Sequence, residues 1–164
     1  MVAVRVDGGG GARVAREKTR ADPAPLLSRP GELQDASFAD LTGRDLRGKK
    51  FYKSILRGAI LDKAQLDGAS MFGSFAKGAS FVGASMRAAD LESVDFEGAD
   101  LTDAVLEGAM VTNAQLSRVK SIVGSDWTDV SLRKDINKAL CAKASGVNPA
   151  TGVATRDSLN CAPE

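Results

Sequence analysis

The sequence predicts an all-β repeat solenoid closed at its C-terminal end by an α-helical segment, and three observations carry that expectation. From Leu41 to Leu116 a residue of the Leu, Phe, Met or Val type recurs every five positions, at Leu41, Leu46, Phe51, Leu56, Leu61, Leu66, Met71, Phe81, Met86, Leu91, Phe96, Leu101, Leu106, Val111 and Leu116; only Ala76 departs from it. Two positions earlier the residue is Ala in 11 of the 16 units, and two positions later it is most often Gly or a turn former such as Asp103 or Asn113. Aromatic residues are only 5% of the chain, which argues against a conventional core of large side chains.

Five matches neither the 3.6-residue period of a helix nor the two-residue alternation of a strand. It is explained if each unit is one short wall followed by a corner. The large residue and the small residue two before it then share a face, as strand alternation requires, and both point inward. Four walls close a square coil, and the sixteen units make about four coils stacked into a column roughly 20 Å tall. Each Leu or Phe in the shaft contributes roughly 1.5–3 kcal/mol before chain entropy is subtracted. The open ends of such a column have to be covered.

The units ADLTG at 39–43, ADLES at 89–93 and GADLT at 98–102 fit the pattern A-(D/N)-L-x-x, and the chain is similar in this to pentapeptide-repeat proteins. The resemblance covers about half of the chain. It implies a right-handed quadrilateral β-helix.

The flanks differ in composition. Residues 1–38 carry Gly8–Gly11, scattered Arg and Lys, and Pro23, Pro25 and Pro30; with little to bury, they read as an extended arm or linker. Residues 39–118 are the repeat, and 119–164 read as a small helical cap with a tail. Val130, Leu132, Ile136 and Leu140 have helical spacing, with Thr128 or Asp129 as the expected N-cap and an end near Gly146. Trp127 is expected over the open end of the last coil. Cys141 and Cys161 are the only cysteines, and a bond between them would restrict the unfolded chain by roughly 3 kcal/mol. The residues alone leave pairing open; a zinc site is disfavoured, because the chain has no histidine.

The string LCAKASGVNPATGVATRDSLNC, preceded by DWTD, is similar to the C-terminal region of pentapeptide-repeat proteins of the chloroplast thylakoid lumen. That resemblance implies a helical cap closed by a Cys141–Cys161 disulfide, and a location in the thylakoid lumen, which is oxidising enough to maintain the bond. Residues 1–38 show neither a hydrophobic signal core nor a twin-arginine pair, so any targeting segment is expected to have been removed or never to have existed.

Several functions are disfavoured. With 22 basic and 21 acidic residues the formal charge is +1, so no net field draws the chain to nucleic acid or to an acidic membrane. No run of about 18 apolar residues is present to span a bilayer. The absence of histidine removes the commonest general base and metal ligand, and there is no Ser-His or Cys-His arrangement and no phosphate-binding glycine loop. The expectation is a chain that is not an enzyme and takes no metal or cofactor. A small-molecule carrier is disfavoured because the shaft is filled by its own side chains.

The outward charges are split along the column. Residues 44–63 hold Arg44, Arg47, Lys49, Lys50, Lys53, Arg57 and Lys63 against Asp45 and Asp62, whereas residues 90–107 hold Asp90, Glu92, Asp95, Glu97, Asp100, Asp103 and Glu107 with no basic residue. Some pentapeptide-repeat proteins protect gyrase by imitating DNA, which needs an acidic column along its whole length; this split disfavours that reading. It suits either a solubility pattern or electrostatic orientation against a partner.

Residues twenty apart should stack on one wall. Tyr52 and Phe72 each follow a centre residue, and Ile55 and Phe75 each precede one, so the four should form an exposed apolar patch at one corner of the first two coils. Lys50, Lys53, Arg57 and Lys77 would rim it, a composition that fits a protein-binding site. The competing reading is that Phe75 rotates inward to fill the gap beside Ala76. The expected function is a non-catalytic scaffold or protein-binding subunit, with the lumenal resemblance implying an extrinsic subunit or assembly factor of a thylakoid photosynthetic complex. Regulation of a soluble enzyme by surface charge mimicry is the alternative.

Overall fold

A computed structural model describes residues 35–163 of the chain; most of the arm expected at 1–38 lies outside them. Short parallel bridges connect residues twenty apart, from Asp35 with Ile55 and Asp40 with Ile60 up to Asp95 with Gln115. Four successive bridge positions, such as 35, 40, 45 and 50, recur one coil later at 55, 60, 65 and 70, so the coil has four walls. Residues 35–38, grouped with the arm on composition, belong to the first rung; its centre residue is Ala36, too small to announce the beat.

Each rung repeats the same hydrogen bonds. Leu41 N–H donates to Ile60 C=O at 2.7 Å, and Ile60 N–H donates back to Ala39 C=O at 2.9 Å. At each corner the chain turns within one unit, as where Arg44 N–H donates to Leu41 C=O at 3.1 Å, and the third residue of the turn has positive φ. Gly43, at φ 64°, adopts that conformation without a Cβ penalty. Lys53 and Ala88, both at φ 51°, show that the ladder imposes it on other residues too. The centre residues and the small residues two before them are buried almost throughout, from Leu56 and Ala59 to Leu106 and Ala109, forming one continuous shaft.

The ladder continues past Leu116. One extra residue enters near 117–120, and the last bridges pair Asp100 with Ser121 and Val105 with Asp126. Ile122 and Trp127 then occupy inward positions five apart, fully buried. DWTD is therefore part of a further unit and not a helix start: Asp126 accepts from Thr128 N–H at 3.0 Å, and Asp129 sits at φ 57° in the corner. Helix α1 (Lys134–Cys141) begins later and ends earlier than the sequence suggested; Arg133 precedes it without a side-chain cap, and Asp135 in its first turn offsets the helix dipole. A single turn, α2 (Thr155–Ser158), follows. This segment is tied to the last coil by Asn148, whose buried side-chain amide donates to Gly124 C=O at 2.8 Å and Asp103 C=O at 3.1 Å. Trp127 N–H donates to Ser158 Oγ at 3.0 Å, and its indole N–H to Ser125 Oγ at 2.7 Å. Cys141 and Cys161 are disulfide-bonded with their Cα atoms 5.6 Å apart, joining the end of α1 to the tail.

Candidate functional site

One wall of the column stacks Asp35, Ile55, Phe75, Asp95 and Gln115 in bridge register. The aspartates there do structural work. Asp35 accepts a hydrogen bond from Ser37 N–H at 2.9 Å and Asp95 from Glu97 N–H at 2.9 Å. The same contact recurs at Asp40 with Thr42, Asp90 with Glu92, and Asp100 with Thr102. A carboxylate before the centre residue thus satisfies a turn amide, the physical reason the pattern favours Asp or Asn there. Ile55 and Phe75 hold that position with side chains that cannot accept a hydrogen bond.

Phe75 does not turn inward. It is 51% exposed while Ala76 is fully buried. Phe96 stands one coil further on the same wall as Ala76 and Phe81 on the next wall, both fully buried, and their rings meet edge to face at a centroid separation of 5.7 Å. A small residue among larger buried neighbours can be accommodated without an inward-turned Phe75.

Tyr52 is 50% exposed and Phe72 38% exposed at the corner before this wall, and Ile55 is half-buried. Phe38, which composition had assigned to the arm, stands at the opposite corner, 72% exposed. Its ring lies over Gly58, where an added Cβ would come within 2.6 Å of it. The twenty-residue offset between Phe38 and Gly58 was the available signal. All four exposed aromatic residues therefore flank or occupy one wall of the first coils, while Phe51, Phe81, Phe96 and Trp127 are buried.

Lys50, Lys53 and Arg57 rim this corner, exposed and without an ion pair among the described residues. Lys77 differs: its ammonium lies 2.7 Å from Glu97. Glu97 also faces Arg118 at 3.4 Å, and the hydrogen bond from Lys77, helped by Arg118, holds its carboxyl below the usual range. Lys120 pairs with Asp100 at 3.0 Å and Arg87 with Glu107 at 3.1 Å. At Asp100, burial works to raise the pKa, but hydrogen bonds from Thr102 and Lys120 outweigh it and the net shift is downward. In the first coils Asp45 is held down to about 2 by the Arg47 fork and the Arg47 N–H. Three of the seven acidic residues at 90–107, Glu97, Asp100 and Glu107, thus meet cations across the rungs, whereas of the four rim cations Lys77 alone is paired among the described residues.

No helix among the described residues is long and apolar enough to cross a membrane. No group of three or more Asp, Glu, Cys or His residues is placed to hold a metal ion among them.

Comparison with known proteins adds a family context. The family profile for pentapeptide repeats matches residues 37–71 and 84–120. A crystal structure of a pentapeptide repeat protein from the Arabidopsis thaliana thylakoid lumen is 36% identical, with 76% of this chain and 89% of that one covered and a TM-score of 0.41. A pentapeptide repeat protein from the cyanobacterium Cyanothece is 24% identical, covering 68% of this chain and 76% of that one at a TM-score of 0.52. The chloroplastic thylakoid lumenal 15 kDa protein 1 of Arabidopsis thaliana is 56% identical over 41 residues, 25% of this chain; the match spans only 18% of that relative's length.

Proposed function

For a chain that belongs to the pentapeptide-repeat family and is similar to two Arabidopsis proteins of the chloroplast thylakoid lumen, we propose the role of a non-catalytic, rigid protein-binding subunit that docks through the corner formed by Tyr52, Ile55, Phe72 and Phe75. The lumenal location fits the Cys141–Cys161 bond, which an oxidising compartment maintains. The working division is an arm at 1–38, a right-handed column over 39–118 and a disulfide-closed cap over 119–164, with the rung ladder running on at both ends of the column.

One observation carries the reading. On a wall where Asp35 and Asp95 cap their turns, Ile55 and Phe75 forgo that hydrogen bond and expose apolar surface in its place. Ile60 and Met110 also replace the cap with exposed apolar side chains, but only on this wall do two such residues stack on consecutive coils beside other exposed aromatics, which points to a use outside the fold. The segment between the two matched repeat blocks, 72–83, contains Phe72 together with Phe75 and Ala76, which depart from the A-(D/N)-L pattern. The unpaired Lys50, Lys53 and Arg57 favour a partner surface with acidic residues around an apolar centre. The natural candidate in the lumen is the exposed face of a thylakoid photosynthetic complex, with this chain as an extrinsic subunit or assembly factor. Charge mimicry of a soluble enzyme's ligand is less well supported, since Glu97, Asp100 and Glu107 are already engaged by neighbouring cations.

The test is cross-linking mass spectrometry on thylakoid membranes carrying the wild-type chain or Phe72→Ser/Phe75→Ser. Cross-links from Lys50 or Lys53 to a membrane-complex subunit, lost in the folded double variant, are the expected result. Identical cross-links from both chains would remove the corner from the interface.

A further inference from the structure

The ladder stops partway round its last coil, and there it leaves a strand edge whose hydrogen-bonding groups have no partner among the described residues. One coil lower, this wall is joined by three bonds of fixed register: Leu91 N–H to Met110 C=O at 2.8 Å, Ser93 N–H to Thr112 C=O at 2.8 Å, and Met110 N–H to Ala89 C=O at 2.9 Å. The equivalent groups on the last coil are Val111 N–H, Asn113 N–H and Ala109 C=O. On the two preceding walls the chain does continue the stack, with Leu101 N–H on Ser121 C=O at 2.9 Å and Leu106 N–H on Asp126 C=O at 2.8 Å. After Gly108 N–H meets Thr128 C=O at 2.9 Å, the chain leaves for α1. Among the described residues nothing bonds to the three groups that follow. Residues 111–116 instead face Ser131, Leu132, Arg133 and Ile136 across a cavity of about 320 Å3.

We propose that this gap is a second binding site, separate from the aromatic corner, which accepts one extended segment of a partner protein as the missing rung. Backbone pairing dictates how the segment lies. It runs parallel to 109–113; one of its residues accepts from Val111 N–H and donates to Ala109 C=O, and the residue two further on accepts from Asn113 N–H. The first of these residues must keep its amide hydrogen and so is not proline. The side chain between the two points inward over Val111, opposite Leu132 and Ile136, and is therefore apolar; its neighbours face solvent. Pairing satisfies backbone groups at a nearly closed part of the column, where Ala109 is 3% and Val111 6% exposed. A second copy of this chain does not supply the rung as a stacked coil, because Trp127 and the disulfide-bonded segment already occupy that end of the column.

The probe is a fluorescein-labelled synthetic peptide with the sequence of residues 87–95, RAADLESVD, which is the rung this wall already carries one coil lower. Fluorescence anisotropy should show saturable binding, and hydrogen-exchange mass spectrometry should show slower exchange at 111–113 in the complex. Ser131→Trp, which fills the cavity, and the Leu91→Asp form of the peptide should each weaken binding about tenfold or more. Phe75→Asp should leave it unchanged. No binding up to about 1 mM peptide, binding without protection at 111–113, or binding lost in Phe75→Asp would each overturn the proposal.

Discussion

The first two coils and the last two share one interior and differ in how their outer surface is finished. Inside, Leu61 and Leu101 lie on the same wall two coils apart, both fully buried. Outside, the later coils pair charges across rungs: Glu97, Asp100 and Glu107 each meet a cation from a neighbouring rung. The first coils leave Lys50, Lys53 and Arg57 unpaired among the described residues and place Ile55 and Phe75 where a capping aspartate would fit. A solenoid permits this because inward and outward positions alternate independently. Stability is set by the shaft, so the surface of one coil can be given over to binding at small cost.

If the interior is equivalent along the column, Leu61→Ala and Leu101→Ala should each destabilise by about 2–5 kcal/mol in urea denaturation. A much smaller loss at Leu61 would mean that the first coils are held by something other than the shaft. The ends should be less equal. Reducing the Cys141–Cys161 bond, which closes a twenty-residue separation, should cost roughly 3 kcal/mol and speed hydrogen exchange in α1 before it does so in the coils. Acid should then separate the two halves more gently. Asp100 and Asp126 in the later coils have their pKa lowered below the ordinary 3.8 in the folded chain, against the opposing effect of burial, through hydrogen bonds from Thr102 with Lys120 and from Thr128 respectively. The stability they contribute is present above about pH 4 and is lost as pH falls below it. Asp126→Asn should flatten the fall of the thermal midpoint between about pH 4 and pH 2, whereas a variant at Lys53 should not.

Much of this was legible in the five-residue beat, because the period fixes both the register and which side chain faces inward. Tyr52, Ile55, Phe72 and Phe75 could be grouped for that reason. Whether Phe75 would stay outside could not be read from the beat alone; it depends on how the shaft packs around Ala76, near which Phe81 and Phe96 meet across walls. Phe38 was missed because Ala36 and Ala39 are too small to mark the first rung. The start of α1 was misplaced for a different reason. One inserted residue after Leu116 shifts the beat, so the unit holding Asp126 and Trp127 reads as a cap followed by a helix. Likewise, Lys77 counts as a free rim charge in sequence, but the coil above supplies Glu97 to hold it.

The smallest change in stability carries the most weight. Phe75→Asp should restore the turn cap that Asp35 and Asp95 make on the same wall, leaving stability unchanged or raising it by about 0.5–1 kcal/mol. Measured on the same preparation, its urea midpoint and its cross-links to thylakoid complexes test the central claim directly. A midpoint equal to or above wild type together with lost cross-links is the predicted result. A midpoint that falls while the cross-links persist would show that Phe75 serves the fold and that the corner is not the docking surface.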